Sequence, residues 1–323
     1  MSWEYESLFD VVPGKSGTLL DGEWDSEGHW KDMPSQISVG RMGYRTRTTV
    51  AGPRLEVEIY PLFGREAAGR ARAAKKAGNT PEAMKNLNRK RAIQHLIRLA
   101  DANLTDQDIH LTLTYKKAPA TNKEVVKDVW NFLRTVKRRR EQYGLPPLKA
   151  FFKEEKNEKG TKERLHAHVL MSGGMSREEL EEIWAKGWAN ADRLQPDERG
   201  LEAIVRYITK EPGKWHRTRN MVEPKQRTSD SKVSNAKVKR IAKDIRAEAK
   251  EIMEKLYPKY GYVDIDVRFS DSVDGAYIRV LMRRKEGGKH ERDRGKGEGA
   301  GGSADQAEST IQSAGGQRPG GGW

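Results

Sequence analysis

The chain has 323 residues, a formal charge of +14 and no cysteine. That length allows one large domain or two smaller ones with a buried core, and the lack of cysteine excludes disulfide scaffolds, thiolate zinc sites and cysteine nucleophiles. The excess of 61 basic over 47 acidic residues favours a polyanionic partner, most often nucleic acid. No run of about 18 apolar residues and no secretory signal is present, so we expect no membrane span and a cytoplasmic protein.

The charge is unevenly placed along the chain. The first 34 residues carry about −6 and residues 285–323 balance to zero, which leaves about +20 on residues 35–284. We predict a flexible acidic N-terminal arm over residues 1–42, with a partner-binding arm as the alternative. Residues 285–323 are rich in glycine and poor in apolar residues, so we predict a disordered tail there.

Two elements are predicted in residues 43–104. Residues 44–60 alternate between apolar and polar side chains around Gly52-Pro53, which is typical of a β-hairpin. Thr80 before Pro81 is an N-cap followed by a favoured first helical residue, and it predicts a basic helix to about Ala100.

The central region, residues 105–225, mixes strands and helices. Three segments alternate in the manner of strands: 109–115, 148–155 and 164–171. Three helices follow from capping boxes and apolar stripes: one opening at Thr121, one at Ser176 and one over 201–211. The order of these elements predicts an α+β fold with a central, mainly antiparallel sheet and flanking helices.

Residues 226–284 predict a basic helix near 236–256, followed by a hairpin. The hairpin pairs 263–269 with 276–282 across Asp274-Gly275. We hypothesise that it joins the hairpin of residues 44–60 in a small second β-sheet.

Two histidines lie two residues apart on the strand predicted at 164–171. His166 and His168 share one face of that strand, so both rings can reach one metal ion. If the preceding hairpin centres near Lys159-Gly160, Glu154 lies opposite His166 and completes a set of two imidazoles and one carboxylate. A register error makes two neighbours alternative ligands: Glu155 and Glu158. The ordinary structural alternative is a surface histidine pair among solvated acids.

A tyrosine and a lysine lie one turn apart on the helix predicted over 201–211. The apolar stripe of this helix excludes Tyr207 and Lys210, which are neighbours on its other side. A phenol has an ordinary pKa of about 10, so it needs help to act as a nucleophile near neutral pH. A neighbouring ammonium and a metal-polarised phosphate would supply that help. The alternative is a tyrosine that only flanks the core.

Three motifs in this order resemble those of the HUH endonucleases, specifically the rolling-circle replication initiators of bacterial plasmids and phages. Leu111-Thr112-Leu113-Thr114-Tyr115 resembles the first motif of that family. His166-Ala167-His168 resembles its metal motif, and Tyr207-Ile208-Thr209-Lys210 resembles the nucleophile motif of its single-tyrosine members.

The resemblance implies an HUH nuclease fold over residues 105–225 and a site-specific DNA nicking-joining endonuclease. Tyr207 would attack the scissile phosphate, assisted by Lys210 and by Mg²⁺ or Mn²⁺ held by His166, His168 and Glu154. The products would be a 5′-phosphotyrosine and a free 3′-hydroxyl that primes replication. Single-stranded or hairpin origin DNA is the implied substrate, and host helicase and polymerase are the implied partners in a bacterial cytoplasm.

DNA is expected along the basic surface of this region. The resemblance places Thr112 and Thr114 on a strand of the DNA-binding core. The candidate phosphate contacts are basic residues of two helices: Arg89, Lys90, Arg91, Arg134, Lys137, Arg138, Arg139 and Arg140. For any one of them, a solubilising helix face is the alternative.

Two other functions fit the same residues. One is an HUH transposase or relaxase-like strand transferase, and the other is a non-catalytic DNA-binding regulator on the same scaffold. The nucleophile helix carries one tyrosine and the chain has no Gly-x-x-x-x-Gly-Lys-Ser/Thr loop, so neither a two-tyrosine mechanism nor a fused helicase is expected.

Overall fold

A computed structural model describes residues 19–20, 43–62, 80–157, 164–211, 213–270 and 273–285. The predicted N-terminal arm, apart from Leu19–Leu20, and the predicted tail beyond Lys285 lie outside these residues. None of the helices in the described residues combines the length and the apolar composition needed to cross a bilayer.

The described residues form eleven strands and six helices. The strands are β1 Leu19–Leu20, β2 Tyr44–Ala51, β3 Arg54–Pro61, β4 Ile109–Leu113, β5 Ala150–Asn157, β6 Arg164–Met171, β7 Ala189–Arg193, β8 His216–Arg217, β9 Lys225–Ser229, β10 Tyr260–Ser270 and β11 Val273–Arg284. The helices are α1 Pro81–Asn103, α2 Asn122–Gln142, α3 Arg177–Trp184, α4 Glu202–Ile208, α5 Asn235–Lys243 and α6 Ala247–Leu256. The α+β prediction is therefore confirmed.

The first sheet is antiparallel and has the strand order β7-β4-β6-β5-β8. Helices α2 and α3 cover one of its faces, where Leu113, Val169 and Phe152 pack against Val129 and Trp184. Helices α1 and α4 pack on the opposite face. Both capping boxes predicted for α2 and α3 start these helices, since the Thr121 and Ser176 side chains accept from the amides three residues on.

The second sheet joins the two predicted hairpins, as hypothesised. Its order is β1-β10-β11-β3-β2-β9, and β11 pairs with β3 in antiparallel register. Helices α5 and α6 supply the apolar residues that cover one face, among them Val238, Ile241 and Met253. With six strands, this sheet is larger than the small sheet we predicted.

Two details of the C-terminal region differ from the prediction. The single helix predicted over 236–256 is two helices, because Asp244 is extended and its carboxylate accepts from the amides of Arg246 and Ala247. The predicted turn residues Asp274-Gly275 lie within β11. There they form a bulge opposite Ser270, with Gly275 at φ +125°, a backbone conformation that glycine tolerates best.

A buried ion network joins the second sheet to α1. The Glu56 carboxylate is 2% exposed and accepts from four side chains: Arg54, Gln94, Arg98 and Arg279. Burial alone would raise the pKa of Glu56, but the charges of Arg98, Arg279 and Arg54 outweigh it and hold the pKa well below its usual range.

Replacing Glu56 with alanine is expected to lower the free energy of unfolding by about 3–5 kcal/mol, because it leaves buried arginines uncompensated. Urea unfolding at neutral pH measures this, and Asp230→Ala is the control. Asp230 pairs with Arg45 at a half-exposed position, so its loss should cost at most about 1 kcal/mol. Because folding lowers the pKa of Glu56, its contribution is present above the unfolded pKa of about 4.3 and is lost as the pH falls below it. Equal effects of the two variants would contradict the prediction.

Candidate metal and nucleophile site

The candidate site lies on the face of the first sheet that α2 does not cover. Side chains alternate along each strand, so Ala167 and Val169 of β6 enter the core beneath α2 while His166 and His168 lie on the other face. The same alternation in β4 places Thr112 on the histidine face. The predicted sharing of one face by the two histidines follows from this geometry.

The register between β5 and β6 differs by one residue from the prediction. Glu155 lies opposite His166, whereas Glu154 lies opposite Ala167. A carboxylate oxygen of Glu155 is 3.8 Å from His166 Nε2 and 3.3 Å from His168 Nε2. Glu155, the first alternative, therefore takes the place that we predicted for Glu154.

The side chain of Glu154 lies on the other face of the sheet. One of its oxygens is 3.8 Å from Nε2 of His216, a residue of β8. The prediction of Glu154 beside the histidines is wrong because side chains alternate, so a shift of one position in a hairpin moves every side chain to the opposite face. Glu158 lies outside the described residues.

Glu155, His166 and His168 can hold a metal ion. Their ligand atoms all lie within 4.8 Å of one another. His168 Nε2 and the Glu155 oxygen nearest to it are buried and have no hydrogen-bond partner. Burial, reinforced by His110 and His166, lowers the pKa of His168 to about 4, so its ring is neutral at neutral pH. Two buried lone pairs that face one another need a cation or a proton between them, and the donor set therefore fits a metal.

A third histidine supports the ligand His168 from β4. His110 Nε2 is 3.0 Å from His168 Nδ1, Thr112 Oγ1 is 3.3 Å from the same atom, and the two imidazoles stack with their centroids 5.2 Å apart. Hydrogen bonding at Nδ1 orients the ring and leaves Nε2 free to ligate. Our sequence analysis did not single out His110. The available signal was its position two residues before Thr112 on one strand face.

Helix α4 brings the predicted nucleophile to the same place. The Tyr207 ring lies 5.6 Å from the His168 ring and is half exposed. Lys210 Nζ lies 4.8 Å from the centre of the Tyr207 ring and 3.0 Å from a Glu155 oxygen. The phenol, the ammonium and the three candidate metal ligands thus form one cluster.

Glu155 and Lys210 each stabilise the charge of the other. The hydrogen bond to Glu155 raises the pKa of Lys210, which therefore stays an ammonium. Burial would raise the pKa of Glu155, but the hydrogen bond and charge of Lys210 outweigh it and lower that pKa. A charged carboxylate is the form that binds a cation.

Two cations hold the chain that follows α4. Arg89 of α1 donates to the carbonyls of Thr209 and Lys210, and Lys153 Nζ donates to the carbonyl of Glu211 at 2.8 Å. The last carbonyls of a helix lack partners within it and attract positive charge. Lys153 and Arg89 thereby fix the end of the short helix that carries Tyr207, and the Arg89 guanidinium that we predicted to contact phosphate has these carbonyls as partners.

The predicted DNA contacts divide into three groups. Thr112 lies beside His168, and Thr114 Oγ1 donates to the carbonyl of Trp188. Arg140 is 2% exposed and donates to backbone carbonyls of Pro146, Ser172 and Gly173, so the prediction that it contacts phosphate is wrong. The others on α2 are exposed but lie on the helix covering the opposite sheet face, and their role stays a prediction: Arg134, Lys137, Arg138 and Arg139.

Comparison with known families identifies the part of the chain that holds this cluster. Residues 108–212 match the model of a family of replication-associated proteins, the ORF2 family. The match spans β4 to α4 and contains all the residues of the cluster. The proteins of this family are rolling-circle replication initiators, which confirms the resemblance drawn from the three motifs. Comparisons with curated proteins and with solved structures found no significant match.

Proposed function

We propose that the protein initiates rolling-circle replication by nicking and rejoining single-stranded origin DNA through a 5′-phosphotyrosine. One observation carries the proposal: Tyr207 and Lys210 lie against Glu155, His166 and His168 within the segment that matches the replication-associated ORF2 family. A nucleophile, a cation and a metal-binding set are the parts that phosphodiester transfer by a tyrosine requires.

The residues of the cluster have separate roles in this reaction. Glu155, His166 and His168 would hold Mg²⁺ or Mn²⁺, which polarises the scissile phosphate when bound. Tyr207 Oη attacks phosphorus and releases its proton to water. The bond from phosphorus to the 3′-oxygen breaks, and that oxygen takes up a proton and leaves as the 3′-hydroxyl. Lys210 remains charged and stabilises the negative phosphate.

The same residues can run the reaction backwards. The phosphotyrosine bond keeps the energy of the phosphodiester, so attack by a 3′-hydroxyl releases Tyr207 and restores a continuous strand. Rejoining therefore needs no nucleotide cofactor. The half-exposed position of Tyr207 leaves room for both strand ends to approach.

The experiment that tests the proposal is localisation of a covalent adduct. The full-length protein is incubated with Mn²⁺ and labelled single strands of the origin and then digested with trypsin. Cleavage after Arg206 and Lys210 gives a peptide with Tyr207 as its one tyrosine. We expect the nucleotide mass on this peptide. DNA binding that is salt-sensitive but gives no adduct would identify a regulator instead, and preferential joining to an unrelated target would identify a strand transferase.

A further inference from the structure

The largest exposed aromatic side chain on the first sheet is that of Trp188, which immediately precedes β7. Its side chain is 67% exposed, although an indole is among the side chains that gain most from burial. The next residue, Ala189, is buried beneath α2 and α3. Because neighbouring side chains of a strand point to opposite faces, Trp188 lies on the face that carries the candidate site.

The backbone of Trp188 is held firmly against β4. The Thr114 amide donates to the Trp188 carbonyl at 2.9 Å, and Thr114 Oγ1 donates to the same atom. A Cβ at Gly187 would overlap the Thr114 carbonyl oxygen, so the chain approaches β4 as closely as glycine allows. The exposed indole therefore stands on an ordered backbone.

The strand registers place Trp188 in one row with the candidate metal ligands. Leu113 pairs with both Ala189 and Ala167, so one step along β4 sets Thr114 opposite Trp188 and His166, and His166 is paired with Glu155. Trp188 is thus two strand spacings from His166, or about 10 Å across the sheet. That distance is short enough for a strand held at the metal ligands to reach the indole within a few nucleotides.

The surroundings of the indole suit a nucleobase. Thr114 is polar, so the indole does not belong to a wide apolar patch of the kind that docks a protein. Lys116 and Lys117 follow on the same chain, are exposed, and have no ion pair among the described residues. An aromatic platform beside cations is the arrangement that binds single-stranded nucleic acid, because every base has a face that stacks and every linkage has a charge.

We propose that Trp188 is a stacking platform for one base of the single strand that occupies the Tyr207 site. The choice of ligand rests on the proposed function. Stacking next to the metal ligands would fix the position of the strand on the sheet face, so Trp188 would set which phosphate lies before Tyr207. The platform tolerates different sequences, since stacking does not read the edges of bases.

The test compares two fluorescent oligomers of equal length, an oligothymidylate and an abasic strand with the same phosphates. Binding is measured by anisotropy in the Tyr207→Phe background, where cleavage cannot consume the probe. We expect Trp188→Ala to weaken oligothymidylate binding by about 5- to 150-fold, the loss of one stacked base, and to leave abasic binding unchanged. The dependence of affinity on salt should stay the same, because the phosphate contacts remain.

Two further variants keep the test sharp. Trp188→Phe retains an aromatic face and should recover most of the affinity, whereas Tyr143→Ala removes a half-exposed aromatic at the end of α2 and should change neither oligomer. No loss with Trp188→Ala, or an equal loss for both oligomers, would overturn the stacking proposal. Adduct formation on Tyr207 is read separately, so either proposal can fail while the other stands.

Discussion

Tyr207→Phe is expected to form no covalent adduct and to lower nicking by roughly 10³-fold or more, as loss of a nucleophile does in other covalent enzymes. The phenol oxygen is the one atom removed, and the ring that lies 5.6 Å from the His168 ring is kept. DNA binding and Mn²⁺ binding should therefore match those of the wild type. Nicking is measured on labelled single strands of the origin, and the adduct is measured by its retarded migration in a denaturing gel.

A matched control for this variant is Tyr143→Phe. Tyr143 is also half exposed, but it lies at the end of α2 and its hydroxyl contacts Glu179. It should form adduct at the wild-type rate. Equal adduct in Tyr207→Phe and wild type would show that another residue is the nucleophile.

Glu155→Gln is expected to weaken Mn²⁺ binding by more than about 100-fold and to abolish nicking, whereas Glu154→Gln should leave Mn²⁺ affinity unchanged. Loss of a residue that only supports a metal ligand already costs about 10–100-fold, and Glu155 supplies a ligand oxygen itself. The two glutamates are adjacent in the chain but lie on opposite faces of the sheet. Isothermal titration with Mn²⁺ measures the affinities.

Thermal unfolding separates a metal effect from a folding defect. An ion that binds the folded state alone raises the unfolding temperature, so Mn²⁺ should stabilise the wild type and Glu154→Gln but not Glu155→Gln. In metal-free buffer the three proteins should unfold at similar temperatures, because glutamine has nearly the shape of glutamate. A larger effect of Glu154→Gln on Mn²⁺ affinity would contradict the register of the β5–β6 hairpin.

The elements of the site that depend on short stretches of chain could be predicted. Alternation along one strand sets His166 and His168 on one face, and an apolar stripe of period 3.6 leaves Tyr207 and Lys210 off the buried side of α4. The capping box at Ser176 starts α3 through contacts with the next three residues. These patterns are local, so they survive without knowledge of the rest of the fold.

The acidic ligand and the buried arginine could not be predicted in the same way. The register of β5 against β6 depends on the length of the hairpin loop and on packing against both sheet faces, and one position decided between Glu154 and Glu155. Arg140 ends a basic helix, and only the carbonyls of the chain around Pro146 and Gly173 turn it into a buried residue.

The sequence alone determined that a positively charged, cysteine-free chain carries a histidine pair and a tyrosine–lysine pair in the order of a rolling-circle initiator. The tertiary structure decided which partners meet them: Glu155 between the histidines and Lys210, His110 behind His168, and Trp188 in the same row of the sheet. It also paired β3 with β11, which lie more than about 200 residues apart. Such contacts follow from packing summed over the whole chain, and no local pattern contains that sum.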